Sequence, residues 1–403
     1  MTNTMAELLT TYSNQSAEIA EYVCSNIGGL KDLYCGEFPI KHTLWVEYFV
    51  WVAFSSLITV ALVGNAIVMW IIVHTRVMHS SFNYFLFNMA LADFLMALLN
   101  TGTTWTFNFY YDWWYGSFCH FNHFFGVAPT CISVFTMMVV SHDRCMAIVD
   151  PLGKRAMSRS RAVALIIAIW IVAALCSLPN ILNSRVETRY YYSLTSKVLT
   201  TTHLCKNEYN YKFIYDDALF VVQYAIPLLV LTYTFARILY ALRRDNFPSS
   251  SRISQPRNLE RDKRKIVKML ALVVIIFMVC WLPYQLYHMF PDFFMAKDDT
   301  NFGTYCYLFF YWLAMSACMY NPIIYCVFNA RFRAGFIYVF RWLPCIDFIT
   351  QDPQGICNQS EFSKTRAPSI RVHNKTSNTS AASPLTKCSG PTPFFPDPAE
   401  LSP

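Results

Sequence analysis

Apolar positions along the 403-residue chain gather into seven long stretches separated by short polar connections. Each stretch reaches the roughly 20 residues that a helix needs to cross the hydrocarbon of a bilayer. They run over Val46–Val73, Phe82–Phe107, Cys119–Val149, Ala162–Leu182, Phe213–Leu242, Ile266–Phe290 and Tyr305–Phe328, and they predict an all-α bundle of seven spans occupying residues 46–328. An odd number of crossings puts the two termini on opposite sides. After the last span the pattern changes: Phe328, Phe332, Phe336 and Phe340 recur every four residues, with Arg331, Arg333 and Arg341 off that stripe. That spacing predicts a short amphipathic helix over 329–343, lying in the membrane interface. Residues 344–403 are rich in Ser, Thr, Asn and Pro, too polar to bury a core, and are expected to be a disordered tail. The first 45 residues are polar and lack the apolar core of a cleaved leader, so the first span is expected to act as the targeting signal. Internal repeats and inverted-topology symmetry are both missing.

Charge placement orients these spans. Arg76, then Lys154, Arg155, Arg159 and Arg161, then Arg261, Lys263, Arg264 and Lys265, then Arg331 and Arg333 all fall on one side, which the positive-inside rule makes cytoplasmic. The connection between the second and third spans carries no Lys or Arg, and the one after the sixth has Lys297 beside Asp292, Asp298 and Asp299. The long segment Asn183–Lys212 contains Arg185, Arg189, Lys197 and Lys206, so the rule holds in sum and not loop by loop. On this reading the protein is a multi-pass plasma-membrane protein, its residues 1–45 extracellular and its carboxyl terminus cytoplasmic. Asn14, in Asn14-Gln15-Ser16, then becomes a glycosylation candidate. Composition agrees with lipid as the main solvent: 55% of residues are hydrophobic and 14% charged, against about 25% charged in soluble proteins. The net charge of +7 does not indicate nucleic acid as a partner, because the basic residues flank apolar spans and form no water-soluble stripe.

Polar residues inside the spans stand out, since an ionisable group in the membrane costs at least about 2.5–3.5 kcal/mol. Asp93 is either a carboxyl kept protonated and hydrogen-bonded or the centre of an ion or water site joining it to Asn65, Ser133 and Asn321. Pro179, Pro227, Pro283 and Pro322 each free a backbone carbonyl within or near a span and read as hinges. The fourteen cysteines lack metal-site spacing, and no metal or cofactor is implied. Cys119, at the outer end of the third span, and Cys205, in the long outer loop, would pin that loop over the bundle mouth if joined. One further bridge among Cys24, Cys35 and Cys306 fits the same compartment, its pairing open. Cys345, after the amphipathic helix, is a candidate for palmitoylation or a free thiol.

Motifs then fall one per span: Gly64-Asn65, Leu91-Ala92-Asp93, Asp143-Arg144-Cys145, Trp170, Pro227, Phe277-Met278-Val279-Cys280-Trp281-Leu282-Pro283 and Asn321-Pro322-Ile323-Ile324-Tyr325. In that order they make the chain resemble the rhodopsin-like G-protein-coupled receptors. Lys263-Arg264-Lys265-Ile266-Val267-Lys268-Met269, Trp114-Tyr115-Gly116 and Phe328-Asn329-Ala330-Arg331-Phe332-Arg333 bring it near the tachykinin and related neuropeptide receptors. The resemblance implies no enzyme activity. It implies a neuropeptide outside, a heterotrimeric G protein inside (the Gq class), and arrestin at tail sites such as Ser363, Thr365 and Ser369. Trp281 and Pro283 would pivot the sixth helix, and Asn321, Pro322 and Tyr325 the seventh. Arg144, released from Asp143, would face the G protein, with Leu152 filling an apolar pocket on it.

Departures narrow the reading. Cys145 stands where relatives place Tyr, and Phe235 replaces another Tyr, so two phenols are missing from the active-state network. Ala317 removes a polar group from the sodium pocket, and Lys263 rules out an acidic latch for Arg144. Gly126 holds the place of the acid in amine receptors, and Met315 that of the retinal lysine in opsins. A peptide fits better, with Asn108, Asn180, Gln285, Tyr287, His288, Tyr307 and Tyr311 as candidate contacts, and Glu208 and the acids near Lys297 steering a cationic ligand. The alternatives are a receptor for another amidated peptide, neuropeptide Y-like or RFamide-like, and, from a different class, a secondary transporter. A transporter would call for paired broken helices that the sequence lacks. No cluster with catalytic spacing supports a membrane hydrolase.

Overall fold

The computed structural model describes residues 4–5, 16–38, 40–75, 78–149, 157–208, 210–244, 257–290 and 300–341, with the backbone alone at 242, 244, 257–264, 300 and 301. Asn14, Leu152, Cys345, the acids around Lys297 and the tail lie outside the described residues. A short helix α1 (Ser16–Asn26) and strand β1 (Leu33–Cys35) precede the bundle. The spans are α2 (Leu44–His74), α3 (Ser81–Tyr110), α4 (Cys119–Val149), α5 (Arg159–Asn183), α6 (Lys212–Ala241, its helix running on to Arg244), α7 (Arg257–Met289) and α8 (Thr300–Phe328). Seven described helices are thus long and apolar enough to cross a membrane, matching the seven stretches in the sequence; the ends are displaced by at most three residues except at the starts of α7 and α8, which begin nine and five residues earlier than expected. The helix expected over 329–343 is α9 (Ala330–Val339).

Local chemistry sets several ends. The Ser80 hydroxyl accepts from the Asn83 amide and that of Ser158 from Arg161, capping α3 and α5. The α3 helix outlasts its apolar run because Phe109, fully buried, and Tyr110 still find partners beyond the polar Asn108. Two spans are widened by one turn of i→i+5 bonding, at Ala97–Thr101 in α3 and Val221–Ala225 in α6. In the first, the Thr101 hydroxyl donates to the Met96 carbonyl at 3.2 Å. The second contains Gln223, whose carbonyl would have paired with the N–H that Pro227 lacks. A further proline, Pro129, not singled out in the sequence, sits inside α4.

The long connection between the fourth and fifth spans is a β-hairpin. Strands β2 (Ser184–Ser193) and β3 (Val198–Asn207) pair antiparallel from Ser184↔Asn207 to Ser193↔Val198, and Lys197 takes the left-handed φ of 57° that the turn requires. Strand β1 adds parallel to β2, with Leu33 opposite Tyr190 and Cys35 opposite Tyr192. A disulfide Cys24–Cys35 ties α1 to β1, leaving Cys306 as a free thiol, and a small core forms from Met5, Ala20, Val23, Leu33, Tyr190 and Tyr192. The amino-terminal segment therefore holds a folded module on the hairpin, built from contacts between residues more than 150 positions apart, beyond the reach of local sequence patterns. The described part of the distal unit, residues 337–341, holds the last residues of α9, with the Arg341 guanidinium 4.8 Å from the Tyr338 ring centre.

Candidate ligand and signalling sites

At the hairpin end a second disulfide, Cys119–Cys205, joins the start of α4 to β3. With Trp113 and Phe118 it forms a small apolar knot, and the Trp113 amide donates to the His203 carbonyl at 2.7 Å. The His123 ring lies beside both sulfurs, so Cys119, His123 and Cys205 group as metal ligands might; the disulfide occupies the two thiols that a metal would need. The basic residues of the hairpin are paired. Arg185 bridges Glu187 and Glu208, as does Lys206, Lys197 meets Glu21, and the Arg189 guanidinium lies over the Tyr34 ring. A hydrogen bond from Lys206 holds the Glu187 carboxyl below its ordinary pKa.

Beneath the hairpin, α7 and α8 bring four of the expected ligand residues into one aromatic cluster. Tyr307 stacks on Tyr311 at 5.8 Å, Tyr287 meets Tyr307 at 5.6 Å, and Tyr284 joins His288 at 4.5 Å and Tyr311 at 5.9 Å. Gln285 is half-buried, one residue beyond Tyr284. Tyr284 was not singled out in the sequence, although its spacing of three and four from Tyr287 and His288 puts it on their helical face. Asn108 and Asn180 are engaged elsewhere: the Asn108 amide donates to the Thr104 carbonyl of its own helix at 2.7 Å, and the Asn180 side chain accepts from the Asn207 amide, pinning the hairpin.

The aromatic cluster continues into a polar floor. The Tyr311 hydroxyl donates to Asn100 Oδ1 at 3.0 Å, and the Asn100 amide donates to the carbonyl and side-chain oxygen of Asn122. Thr103 and Thr104 also donate to Asn122, at 2.6 and 3.2 Å. These asparagines are 5% exposed inside apolar spans, and the same signal that marked Asp93 would have found them. Gly126 lies against this floor, where an added Cβ would come within 3.2 Å of Asn100 Nδ2.

Halfway through the bundle, Asp93 accepts from Asn321 Nδ2 at 2.6 Å and from the Ser133 hydroxyl at 3.2 Å. Asn65 does not join them. Its amide donates to the carbonyls of Ala61 and Cys318, at 2.8 and 3.0 Å. The reason is local: Cys318 is four residues before Pro322, whose missing N–H leaves that carbonyl free, and Asn65 satisfies it. A cavity of about 10 Å³, room for one water, lies between Asp93, Ser133, Asn321, Ala317 and Trp281. The buried Trp281 Nε1 has no hydrogen-bond partner among the described residues.

At the opposite end, Arg144 holds Asp143 through Nη2 and Nε at 2.7 and 3.1 Å, with its guanidinium 4.8 Å from the centre of the Phe82 ring. Cys145, Phe235, Ile238 and Val267 form an apolar cluster where the two phenols are missing. Tyr325 is fully buried against Phe332 of α9 and near the Met89 sulfur. The Trp170 indole donates to Asn88, which donates to Thr136, fixing three spans together.

Seven apolar helices, a disulfide from the third span to the hairpin, a carboxyl at mid-depth and an Asp-Arg pair at the inner end of the third span define a membrane receptor. The model of the seven-transmembrane receptor (rhodopsin) family matches residues 64–325, and the chain belongs to that family of G-protein-coupled receptors, which are not enzymes. Within it the chain is related to the tachykinin receptors. It is 49% identical to the probable G-protein coupled receptor tkr-1 of Caenorhabditis elegans over 76% of this chain and 74% of the relative. It is 36% identical to the tachykinin-like peptides receptor 99D of Drosophila melanogaster, over 76% of this chain and 60% of that one. The human substance-P receptor is also 36% identical, over 73% and 71%. Membership in this family makes it a multi-pass plasma-membrane protein.

Proposed function

We propose that the chain is a receptor for an amidated, tachykinin-like peptide, which enters at the hairpin end and promotes nucleotide exchange on a heterotrimeric G protein of the Gq class at the α9 end. The hairpin end is extracellular in this reading. Arg159, Arg161, Lys265, Arg331 and Arg333 gather at the other end, while the basic residues of the hairpin lie against acids or a ring.

The observation that carries the proposal is the lining of the mouth. Tyr284, Tyr287, His288, Tyr307 and Tyr311 offer aromatic faces to apolar side chains of a peptide. The Asn100, Asn122 and Thr103 group below offers amide and hydroxyl partners to a terminal carboxamide. An acid to hold an amine is absent at Gly126, and Asn100 already fills the space beside it. Relatives with printed tachykinin-type names support the same ligand class. Asp143 and Arg144 hold the inner end closed, Trp281 with Pro283 and Asn321 with Pro322 and Tyr325 supply the hinges, and arrestin follows at the tail. A ligand drives the change only by binding the open arrangement more tightly than the closed one.

Calcium release in cells expressing the receptor, exposed to a panel of amidated peptides, tests this. A response to tachykinin-related peptides is expected. Silence to all of them, with a response to neuropeptide Y-like or RFamide-like peptides, would reject the ligand class and leave the receptor class standing.

A further inference from the structure

Strand β2 sorts its side chains onto two faces. Tyr190 and Tyr192 point into the core of the amino-terminal module, so Arg185, Glu187, Arg189 and Tyr191, which alternate with them, share the other face. Arg185 and Lys206 bridge Glu187 and Glu208, two cations against two carboxylates, and that group leaves no charge over. Arg189 is different. Among the described residues no carboxylate pairs with it, and it lies half-buried with its guanidinium 5.2 Å from the centre of the Tyr34 ring. Tyr34 stands opposite Tyr191 in the register of β1 and β2 and stacks on it, ring centres 5.2 Å apart. Phe38 meets the Tyr191 ring edge-on at 5.4 Å and the Tyr111 ring at 6.4 Å, so aromatic rings run from the guanidinium to the end of α3. Thr202 lies directly across the hairpin from Arg189, on the same face, and is 2% exposed. Its Oγ1 has no hydrogen-bond partner among the described residues. An uncompensated cation and an unpaired buried hydroxyl, side by side along an aromatic wall, make a site that lacks one anionic acceptor.

We propose that Arg189 and Thr202 receive an acidic side chain, Asp or Glu, from the part of the peptide upstream of its carboxamide. The assignment rests on the tachykinin-like reading above and adds a charge requirement to it. With the carboxamide on the polar floor at Asn100 and Asn122, the upstream residues of an extended peptide lead toward the hairpin. A carboxylate there matches the planar fork of the Arg189 guanidinium with two parallel N–H···O bonds. Each of its oxygens keeps a further lone pair, and one of them accepts from the Thr202 hydroxyl. The methylene stem of the acid packs against Tyr34 and Tyr191, a contact that a free inorganic anion cannot make. Because Glu187 and Glu208 are already held by Arg185 and Lys206, neither of these hairpin acids competes for Arg189.

Competition binding to the full-length receptor in lipid nanodiscs tests this with paired amidated tachykinin-like peptides. The members of a pair are identical except for one Glu or Gln, placed at each upstream position in turn. At one position the Glu peptide is expected to bind about tenfold more tightly than its Gln twin, as a charge-assisted bidentate pair gives. In Arg189→Gln the twins should bind within about twofold of each other, and Thr202→Val should cut the preference by about threefold. Arg189→Glu should reverse the order, so that a peptide with Lys at that position binds more tightly than the Glu peptide. Such a gain requires a folded hairpin and so separates lost charge from lost structure. Binding of the pairs with no position that depends on Arg189 would overturn the assignment and leave the ligand class standing. Failure of every peptide in the set to bind the wild-type receptor would overturn the tachykinin-like reading, and the assignment with it.

Discussion

Gly64 shows how a single missing side chain can set the distance between two helices. A Cβ built there would lie 2.9 Å from Pro322 Cγ, so the first and seventh spans meet on a face that only glycine allows, and Asn65 beside it can then reach the Cys318 carbonyl. Gly64→Ala is expected to push these spans apart and cost about 1–3 kcal/mol, as overpacking does. Thermal unfolding of the purified receptor measures this, and an unchanged midpoint would show that Pro322 has room to move. Asp143 poses a different question. Its pair with Arg144 is 2.7 Å long but its carboxylate is 19% exposed, so the pair is worth about 0.2–1 kcal/mol. Asp143→Asn should therefore raise ligand-free nucleotide exchange by up to about fivefold, the ratio that 1 kcal/mol sets. Unchanged basal exchange would mean that Arg144 is held by Phe82 alone.

At the scale of elements, legibility in the sequence follows the range of the forces. The spans were readable because lipid imposes a long, continuous apolar requirement that each helix meets by itself. Cys119–Val149 has the same ends in sequence and structure. The hairpin and the amino-terminal module were not readable. Their strands pair Leu33 with Tyr190 and Ser184 with Asn207, and such non-local pairing leaves only a weak alternation in either segment alone. The direct partner of Asn65 was not legible for a related reason: both Asp93 and the carbonyl freed by Pro322 attract its amide, and only three-dimensional placement decides between them. The module itself is testable. Cys24 and Cys35 close a loop with a sequence separation of 11, the kind of cross-link worth about 2–4 kcal/mol. A Cys24→Ser, Cys35→Ser double variant should take up deuterium faster at the amides of Tyr190 and Gly36, which bond to Asp32 and Tyr192, while the spans keep their protection. Equal uptake in both proteins would mean that the Met5 core holds the module without the disulfide.

For the whole molecule, the structure divides the work between two ends. The hairpin end is rich in aromatic rings and amides, is pinned by two disulfides, and is suited to a large, extended ligand. Among the described residues, the opposite end carries the Asp143–Arg144 pair, an apolar cluster at Cys145 and a buried Tyr325. Between them lies a small polar cavity bordered by Asp93 and Trp281. Of the candidate ligand contacts named from the sequence, Tyr287, His288, Tyr307 and Tyr311 converge, because aromatic residues at helical spacing share a face wherever the helix lies. Asn108 and Asn180 do not, since a short amide is captured by the nearest carbonyl or amide. The most direct test of the account is guanine-nucleotide exchange on a Gq heterotrimer by the purified receptor in nanodiscs. An amidated tachykinin-related peptide should accelerate exchange, and the same peptide ending in a free carboxylate should do so far less; no acceleration by any peptide of that class would contradict the account.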